Sequence, residues 1–349
     1  MTNPILTRAI DALAAREDLS SDQTAAVLSE IMHGEVSEIQ IAAFLIALRT
    51  KGETVAELTG LARTMRELAA HVPTGRADLL DTAGTGGGTS TFNVSTTAAL
   101  IAAGAGCAVA KHGNRSATSR SGSADLLEAL GARIDLDPEG VAACIAEAGF
   151  GFMFAPAHHQ ATRFVIPVRR ELAVRTIFNL LGPLTNPAGA ARQLIGVSDP
   201  AYLQLMAGAL AALGVDRAVL VAGEDGLDEV SASAPTRVVE VNGQEISSYV
   251  LHPQDVGIEP SAEAGGVAGG TPQENAQVTT AILQSGPGAP GEELALINAG
   301  AAIYAAGAAA TIAEGVLAAR EAVADGRAGQ ALAGYVAASI RHAPARALQ

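Results

Sequence analysis

One stretch, DTAGTGGGTSTFNVSTT at residues 81–97, indicates the fold and the kind of ligand. The apolar pair Leu79-Leu80 before it is typical of a strand end, and residues 95–105 after it are typical of a helix. Glycines without a β-carbon let backbone N–H groups converge on a phosphate, and the following helix would point its N-terminus at the same anion. Strand, glycine loop and helix together predict a phosphate site.

This loop is also consistent with a plain turn, because glycine-rich turns between strands and helices are common in α/β proteins. It lacks the Lys-Ser/Thr ending of a P-loop, and no acidic residue follows about twenty positions later to hold a ribose. A phosphate ligand outside those two nucleotide classes is therefore indicated.

Composition excludes several classes of function. The 349 residues carry a formal charge of −14, which argues against a nucleic-acid binder or an anionic-membrane binder. Cys107 and Cys144 lie in apolar stretches without metal spacing, so buried reduced thiols are favoured over a disulfide. The N-terminus shows no signal-peptide pattern and no apolar run of spanning length, which favours a cytoplasmic enzyme.

The first seventy residues predict successive short helices. Gly34 and Gly52 stand where helices would stop. Capping-box spacing recurs at three pairs, Ser20 with Gln23, Ser37 with Gln40, and Thr54 with Glu57. This part is expected to be a small helical unit.

From residue 78 onward, short apolar runs alternate with helical stretches, which favours a mostly parallel sheet flanked by helices. The predicted strands are residues 79–80, 107–110, 150–154, 194–197 and 218–222, with helices at 124–130 and 201–213. We predict a helical domain at residues 1–72, with a returning segment near 168–190, and an α/β domain at residues 73–167 and 191–349. Residues 262–270 are predicted to be a flexible loop.

Four further features carry chemistry. The stretch KHGNRS at residues 111–116 brings two cations to a strand end, which indicates an anion grip. Asp228-Glu229 would suit Mg²⁺ beside phosphates if a cleft held them close. Arg169 is able to bind a carboxylate with its planar fork or to pair with Glu171. His158-His159 are favoured as structural histidines over a metal site.

These motifs together resemble the anthranilate phosphoribosyltransferase family of tryptophan biosynthesis. The resemblance rests on GTGG at residues 84–87, NVST at 93–96, KHGNRS at 111–116, Arg169, GPLTNP at 182–187, Asp228-Glu229, GTP at 270–272, Glu274-Asn275 and NAG at 298–300. It implies a small helical domain with a larger α/β domain, and a homodimer joined through the helical parts. It also implies transfer of phosphoribosyl from phosphoribosyl pyrophosphate (PRPP) to the amine of anthranilate, with two Mg²⁺ ions per site.

The resemblance assigns roles to individual residues. It implies PRPP contacts at Gly84, Thr85, Gly87, Gly88, Thr91, Asn93, Val94, Ser95, Thr96, Lys111, His112, Gly113, Asn114, Arg115, Ser116, Ala117, Thr118, Ser119 and Ser123. It implies anthranilate contacts at Gly84, Asn114 and Arg169, and metal ligands at Ser95, Asp228 and Glu229. His112 is a catalytic candidate that would take up the amine proton or orient the carboxylate, and both roles stay open.

The glycine loop departs from the family pattern. The family usually continues GTGGDG, whereas Gly88 stands here in place of the acidic residue and the run to Asn93 is one residue shorter. We therefore expect activity with an altered Mg²⁺ dependence. Two rivals share the architecture: a pyrimidine nucleoside phosphorylase, whose cationic loop reads Lys-x-Ser-x-Arg, and a nucleic-acid-binding relative, which would need a basic surface.

Overall fold

A computed structural model describes residues 2–116, 119–260, 268–284 and 288–344 of the chain. The predicted loop at 262–270 lies mostly outside the described residues, as do Ala117 and Thr118 of the predicted site. In the described part of the chain, no helix combines the length and the apolar character needed to span a membrane.

Four helices form the N-terminal part. They are α1 (Pro4–Ala14), α2 (Ser21–Met32), α3 (Glu38–Lys51) and α4 (Val55–Glu67). The predicted capping boxes at Ser20 and Thr54 are present. The one predicted at Ser37 is only half right, because the Gln40 side chain bonds the backbone of Asn3 instead of the N-cap. Gln40 thus ties α3 to the start of α1.

The rest of the chain alternates strands and helices, as predicted. The strands are β1 (Leu80–Asp81), β2 (Val109–Gly113), β3 (Phe150–Phe154), β4 (Arg192–Gly196), β5 (Arg217–Gly223), β6 (Thr236–Asn242) and β7 (Glu245–Leu251). The helices are α5 (Val94–Gly104), α6 (Ser123–Ala129), α7 (Pro138–Ala148), α8 (Ala155–His158), α9 (Ile166–Leu172), α10 (Phe178–Leu181), α11 (Leu203–Ala212), α12 (Pro272–Gln284), α13 (Glu292–Ala305), α14 (Ile312–Ala324) and α15 (Arg327–His342). Short 3₁₀ turns lie at Gln160–Phe164, Gly182–Leu184, Pro200–Tyr202 and Pro253–Val256.

The strands form one sheet in the order β3-β2-β1-β4-β5-β6-β7. β1 to β5 pair in parallel, while β6 and β7 add an antiparallel hairpin at one edge. The predicted class, a small helical part with a larger α/β part and a mostly parallel sheet, is confirmed. The hairpin was not predicted.

Successive side chains of the central strands face two different cores. Leu194 of β4 belongs to the core that includes residues of α5, α13 and α14, while its neighbour Ile195 belongs to the core that includes the N-terminal helices and α11. Val168 of α9 and Phe178 of α10 also lie in this second core. The N-terminal helices therefore share a core with one face of the sheet.

The two cysteines are free and buried, in agreement with the prediction of reduced thiols. Burial raises the pKa of Cys107 to about 11 and that of Cys144 to about 12. Both thiols are therefore protonated near neutral pH and act as small apolar side chains.

Candidate active site

The glycine loop joins β1 to α5 and lies against the end of β4. The Thr85 N–H donates to the Gly196 carbonyl at 2.8 Å, and a β-carbon at Gly84 would stand 2.8 Å from the same oxygen. Gly86 and Gly87 have φ angles of +65° and +88°, which glycine adopts readily. The loop thus sits at the carboxyl ends of parallel strands, where ligands bind in such sheets.

Two carboxylates lie behind this loop. Burial raises the pKa of Asp228, against which the N–H groups of Gly88 and Gly86 stabilise its ionised form. Burial, and then the charge of Asp228, raises the pKa of Glu229 to about 8, although Lys111 and the Ser95 N–H oppose this rise. Each carboxylate therefore disfavours ionisation of the other, which a bound cation would reverse.

The donor set at these carboxylates fits Mg²⁺. Asp228 and Glu229 offer hard oxygen atoms, and Ser95 at the start of α5 offers a hydroxyl. Within the described residues, no cluster of three or more acidic, histidine or cysteine side chains suits a metal. Mg²⁺ is commonly held by one or two carboxylates together with substrate phosphates, which is the arrangement this pair would support.

Lys111 is a buried residue of β2, which runs to Gly113, so the predicted end of this strand at residue 110 is wrong. The side chain is 1% exposed, and Nζ donates to the Thr82 carbonyl at 3.1 Å and the Thr82 hydroxyl at 2.9 Å, with Ser95 Oγ at 3.4 Å. Burial lowers the pKa of Lys111 to about 8, although the charges of Asp81 and Glu229 oppose this. Lys111 thus lies between two carboxylates beneath the glycine loop.

Asp81 was missed as a site residue, although it opens the decisive stretch. Its buried carboxylate accepts from the N–H groups of His112 at 3.0 Å and Ala83 at 3.1 Å, and from Asn186 Nδ2 at 2.7 Å. Asn186 Nδ2 also donates to the Ala110 carbonyl at 2.8 Å. Asn186 of the GPLTNP motif therefore ties β1 to β2. The sequence signal that could have pointed to this buried network was an asparagine between two prolines.

His112 is held as a neutral imidazole with one free nitrogen. Nδ1 lies 3.1 Å from the Gly182 carbonyl, and burial lowers the pKa of His112 to about 4. Because a carbonyl only accepts, Nδ1 carries the proton and Nε2 has a free lone pair. The buried Nε2 has no partner in the described residues.

His158 and His159 are buried beside this imidazole. The His159 ring packs edge-on against His112 with centroids 5.1 Å apart, and burial lowers the pKa of His159 to about 3. Their Nε2 atoms also lack partners among the described residues. The three rings therefore form one neutral cluster.

Asn93 is fixed by contacts from outside the loop. Its Nδ2 donates to the Ser121 carbonyl at 3.0 Å, and its Oδ1 accepts from the Ser121 hydroxyl at 3.0 Å and Asn275 Nδ2 at 2.8 Å. Asn275 Oδ1 accepts from the Gly270 N–H. The GTP and Glu-Asn motifs thus position the start of α5. Thr91 lies in an isolated bridge with Ala268.

The first turn of α5 carries Val94, Ser95 and Thr96 behind the glycine loop. The Thr96 hydroxyl is buried and has no partner among the described residues. Asn298 Oδ1 accepts from the Val230 N–H at 2.8 Å, and its Nδ2 donates to the Val230 carbonyl at 2.9 Å. Asn298, whose role was also missed, therefore fixes the backbone that follows Glu229.

The far end of KHGNRS turns away from Lys111. Arg115 pairs with Asp125 at 2.8 Å and with Glu128, both on α6. Exposed Asn114 accepts from the Arg115 N–H at 2.7 Å. The remaining predicted contacts lie nearby, with the Ser116 and Ser119 hydroxyls 2.6 Å apart and a β-carbon at Gly113 standing 3.1 Å from Ser123. Lys111 and Arg115 therefore do not form one grip here.

Arg169 lies on α9, half-buried, with its guanidinium 5.5 Å from the Phe178 ring centre. Burial lowers the pKa of Arg169. No carboxylate of the described residues lies within ion-pair distance, so the alternative pair with Glu171 does not form. Its donors are open to a carboxylate from outside.

Comparisons with known proteins agree on one family. A model described as the helical bundle domain of a glycosyl transferase family matches residues 7–69, and the α/β domain of that family matches residues 76–329. The anthranilate phosphoribosyltransferase of Symbiobacterium thermophilum is 51% identical over 321 residues, which cover 92% of this chain and 94% of the relative.

Two solved structures are similar over nearly the whole chain. The anthranilate phosphoribosyltransferase of Thermus thermophilus has a TM-score of 0.89 and 46% identity, covering 95% of this chain and 99% of that one. The enzyme of Saccharomyces cerevisiae in complex with PRPP and Mg has a TM-score of 0.86 and 26% identity, covering 97% and 99%.

Proposed function

The chain belongs to the anthranilate phosphoribosyltransferase family, and from that premise we propose how its own residues divide the reaction among them. The enzyme transfers the phosphoribosyl group of PRPP to the amine of anthranilate, giving N-(5-phosphoribosyl)anthranilate and pyrophosphate in tryptophan biosynthesis. The observation that carries the assignment of the site is the meeting of the glycine loop, Lys111 and the Asp228-Glu229 pair at the strand ends.

We assign pyrophosphate binding to the glycine loop and the start of α5. The N-terminus of α5 would direct its positive end at the developing negative charge, and such preorganised groups stabilise a leaving anion. Asp228, Glu229 and Ser95 would hold Mg²⁺. When bound, Mg²⁺ neutralises charge on the departing pyrophosphate. Two ions per site remain a proposal that calorimetric Mg²⁺ titration in the presence of PRPP would count.

We assign anthranilate binding to Arg169, Asn114 and Gly84. The unpaired guanidinium of Arg169 suits the carboxylate of anthranilate. An aromatic amine is already unprotonated near neutral pH, so positioning contributes more than deprotonation. The free lone pair on His112 Nε2 accepts an N–H and cannot donate to a carboxylate, which favours the amine-side role for His112.

We also propose a homodimer formed through the helical part. Ile39 on α3 is 82% exposed, and Ile46 lies exposed two turns further along the same helix. Ile166 of α9, which packs against α3, is 40% exposed. Apolar faces of this kind commonly mark interfaces. Sedimentation showing a monomer at micromolar concentration would reject the dimer.

The domain division and the cellular location are proposals of the same kind. Separate family matches at residues 7–69 and 76–329 support a boundary near residue 72. The free thiols Cys107 and Cys144 are consistent with a cytoplasmic protein.

The activity is tested by mixing the protein with anthranilate, PRPP and Mg²⁺ and following anthranilate fluorescence. We expect loss of fluorescence that requires both substrates and weakens in the double variant Asp228→Ala/Glu229→Ala. Glu321→Ala, an exposed carboxylate on α14, is the matched control and should match the wild type. If the wild type leaves the signal unchanged across Mg²⁺ concentrations, the transferase assignment fails and nucleoside phosphorolysis is tested next.

A further inference from the structure

Arg175 contacts the glycine loop from the segment between α9 and α10. Its Nη2 donates to the Gly86 carbonyl, and its Nη1 donates to Ser198 Oγ at 2.9 Å. Ser198 follows β4, so one guanidinium joins this segment to both the glycine loop and the sheet. None of the sequence motifs includes this residue.

Neighbouring peptide groups of the loop are held from different sides. Arg175 binds the carbonyl of Gly86, while the N–H groups of Gly86 and Gly88 face the carboxylate of Asp228. Rotating the peptide group between Gly86 and Gly87 would break its contact with the guanidinium. Charged hydrogen bonds are the strong ones, so this contact gives the loop one preferred orientation.

Gly87 leaves the space that the guanidinium fills. A β-carbon at Gly87 would stand 1.8 Å from Arg175 Nη2 and 2.8 Å from its Cζ, closer than atoms can approach. The φ of +88° at Gly87 adds a second reason for glycine. Glycine at position 87 therefore leaves the room that the Arg175 guanidinium occupies.

Ser198 and Thr85 complete the anchor. Thr85 Oγ1 accepts from the Ser198 N–H at 3.1 Å and lies 3.3 Å from Ser198 Oγ. No carboxylate in the described part of the chain lies within ion-pair distance of Arg175. Among the described residues, the guanidinium donates to one carbonyl and one hydroxyl, and its charge also opposes the rise in the pKa of Asp228.

We propose that Arg175 is a positioning residue for PRPP. It holds the Gly86 carbonyl on the side of the α9–α10 segment and thereby fixes the backbone conformation of the loop that receives the pyrophosphate. The proposal rests on the proposed function for the identity of the ligand. Arg175 acts through the loop and is not assigned to the reacting atoms.

The test compares Arg175→Ala and Arg175→Lys with Arg170→Ala, an exposed arginine on α9 of the same segment. Losing hydrogen bonds from a charged group weakens binding by about tenfold to a hundredfold, so the KM for PRPP should rise by that factor in Arg175→Ala. The kcat should stay close to the wild type. Lysine keeps one donor, so Arg175→Lys should recover part of the affinity, and Arg170→Ala should not change it.

A second measurement needs no substrate. Hydrogen exchange of the peptide covering residues 82–92 should become faster in Arg175→Ala and remain unchanged in Arg170→Ala. Folded Arg175→Ala with unchanged exchange and unchanged KM for PRPP would overturn the proposal, as would a fall in kcat alone. A wild type without transfer activity would refute the function instead, and the exchange experiment would still decide the role of Arg175.

Discussion

Lys111 and Arg115 stand four residues apart in one motif but occupy opposite environments. Lys111 is 1% exposed and lies between Asp81 and Glu229, whereas the Arg115 side chain is 47% exposed and pairs with Asp125 and Glu128. Two cations that look equivalent in the sequence should therefore differ in their contribution to the free energy of unfolding. Burial sets the cost of removing each one, because water replaces a lost partner only at the surface.

The largest effect should come from Lys111→Met. Removing one partner of a buried charge group costs about 3–5 kcal/mol, because Asp81 would lose its cation and Glu229 would lose the charge that opposes the rise of its pKa. Urea unfolding at pH 7.5 measures the loss, and transfer activity should fall with it. A loss under about 1 kcal/mol, the range of a surface pair, would mean that Lys111 does not act as their counter-charge.

The variant Gly88→Ala tests the close contact between the glycine loop and Asp228. A β-carbon there would stand 2.5 Å from Asp228 Oδ1 and 2.7 Å from the Asp228 nitrogen, so we expect a cost of about 1–3 kcal/mol and weaker PRPP binding. The β-carbon of an aspartate at position 88 would meet the same atoms.

Gly334→Ala on α15 is the matched control for this substitution. Its β-carbon meets only ordinary contacts with Ala148, and alanine should stabilise the helix by up to about 1 kcal/mol. Unfolding curves and PRPP titrations of both variants provide the comparison. Equal stability and affinity in the two would contradict the steric account.

The buried histidines His112 and His159 should lower the free energy of unfolding at acid pH. Burial lowers the pKa of His112 to about 4 and of His159 to about 3, so the folded state binds fewer protons than the unfolded state below pH 6.5. Stability should therefore fall as the pH drops from 7.5 to 5.5, by about 1.3 kcal/mol for each of the two rings.

The variant His159→Gln isolates one of these contributions. Its stability should depend less on pH over the same interval, whereas exposed His33→Gln should keep the wild-type slope. Urea unfolding at both pH values measures the difference. Identical slopes in the wild type and His159→Gln would show that His159 is not buried in its neutral form.

Arg115→Ala should have the smallest effect. Exposed ion pairs contribute about 0–1 kcal/mol, even where two acids share one arginine. A double-mutant cycle with Glu128→Ala measures the pair directly. A coupling of several kcal/mol would remove the contrast with Lys111.

Local rules predicted much of the fold. The strand Phe150–Phe154 and the capping boxes at Ser20 and Thr54 follow from short apolar runs and side-chain spacing. The β6–β7 hairpin was missed because β7 is exposed on both faces except at Leu251, so no alternation marks it. The dipeptide Asn242-Gly243 was a usable hairpin signal, and Gly243 has a φ of +58°.

Long-range contacts explain what the sequence did not show about the site. The motifs supplied the predicted site residues, but they did not show the environment of each side chain. β2 continues through His112 because that residue pairs with Met153 of β3, and this pairing buries Lys111. Arg175 meets Gly86 across 89 positions, a separation that no local pattern reports.

The alternation of Leu194 and Ile195 along β4 has a mechanical consequence. Separating the N-terminal helices from the sheet would expose one side of β4, whose other side lies in the same core as α5, the helix that follows the glycine loop. The two parts are therefore thermodynamically inseparable through β4, and the chain is expected to lose both in a single cooperative step.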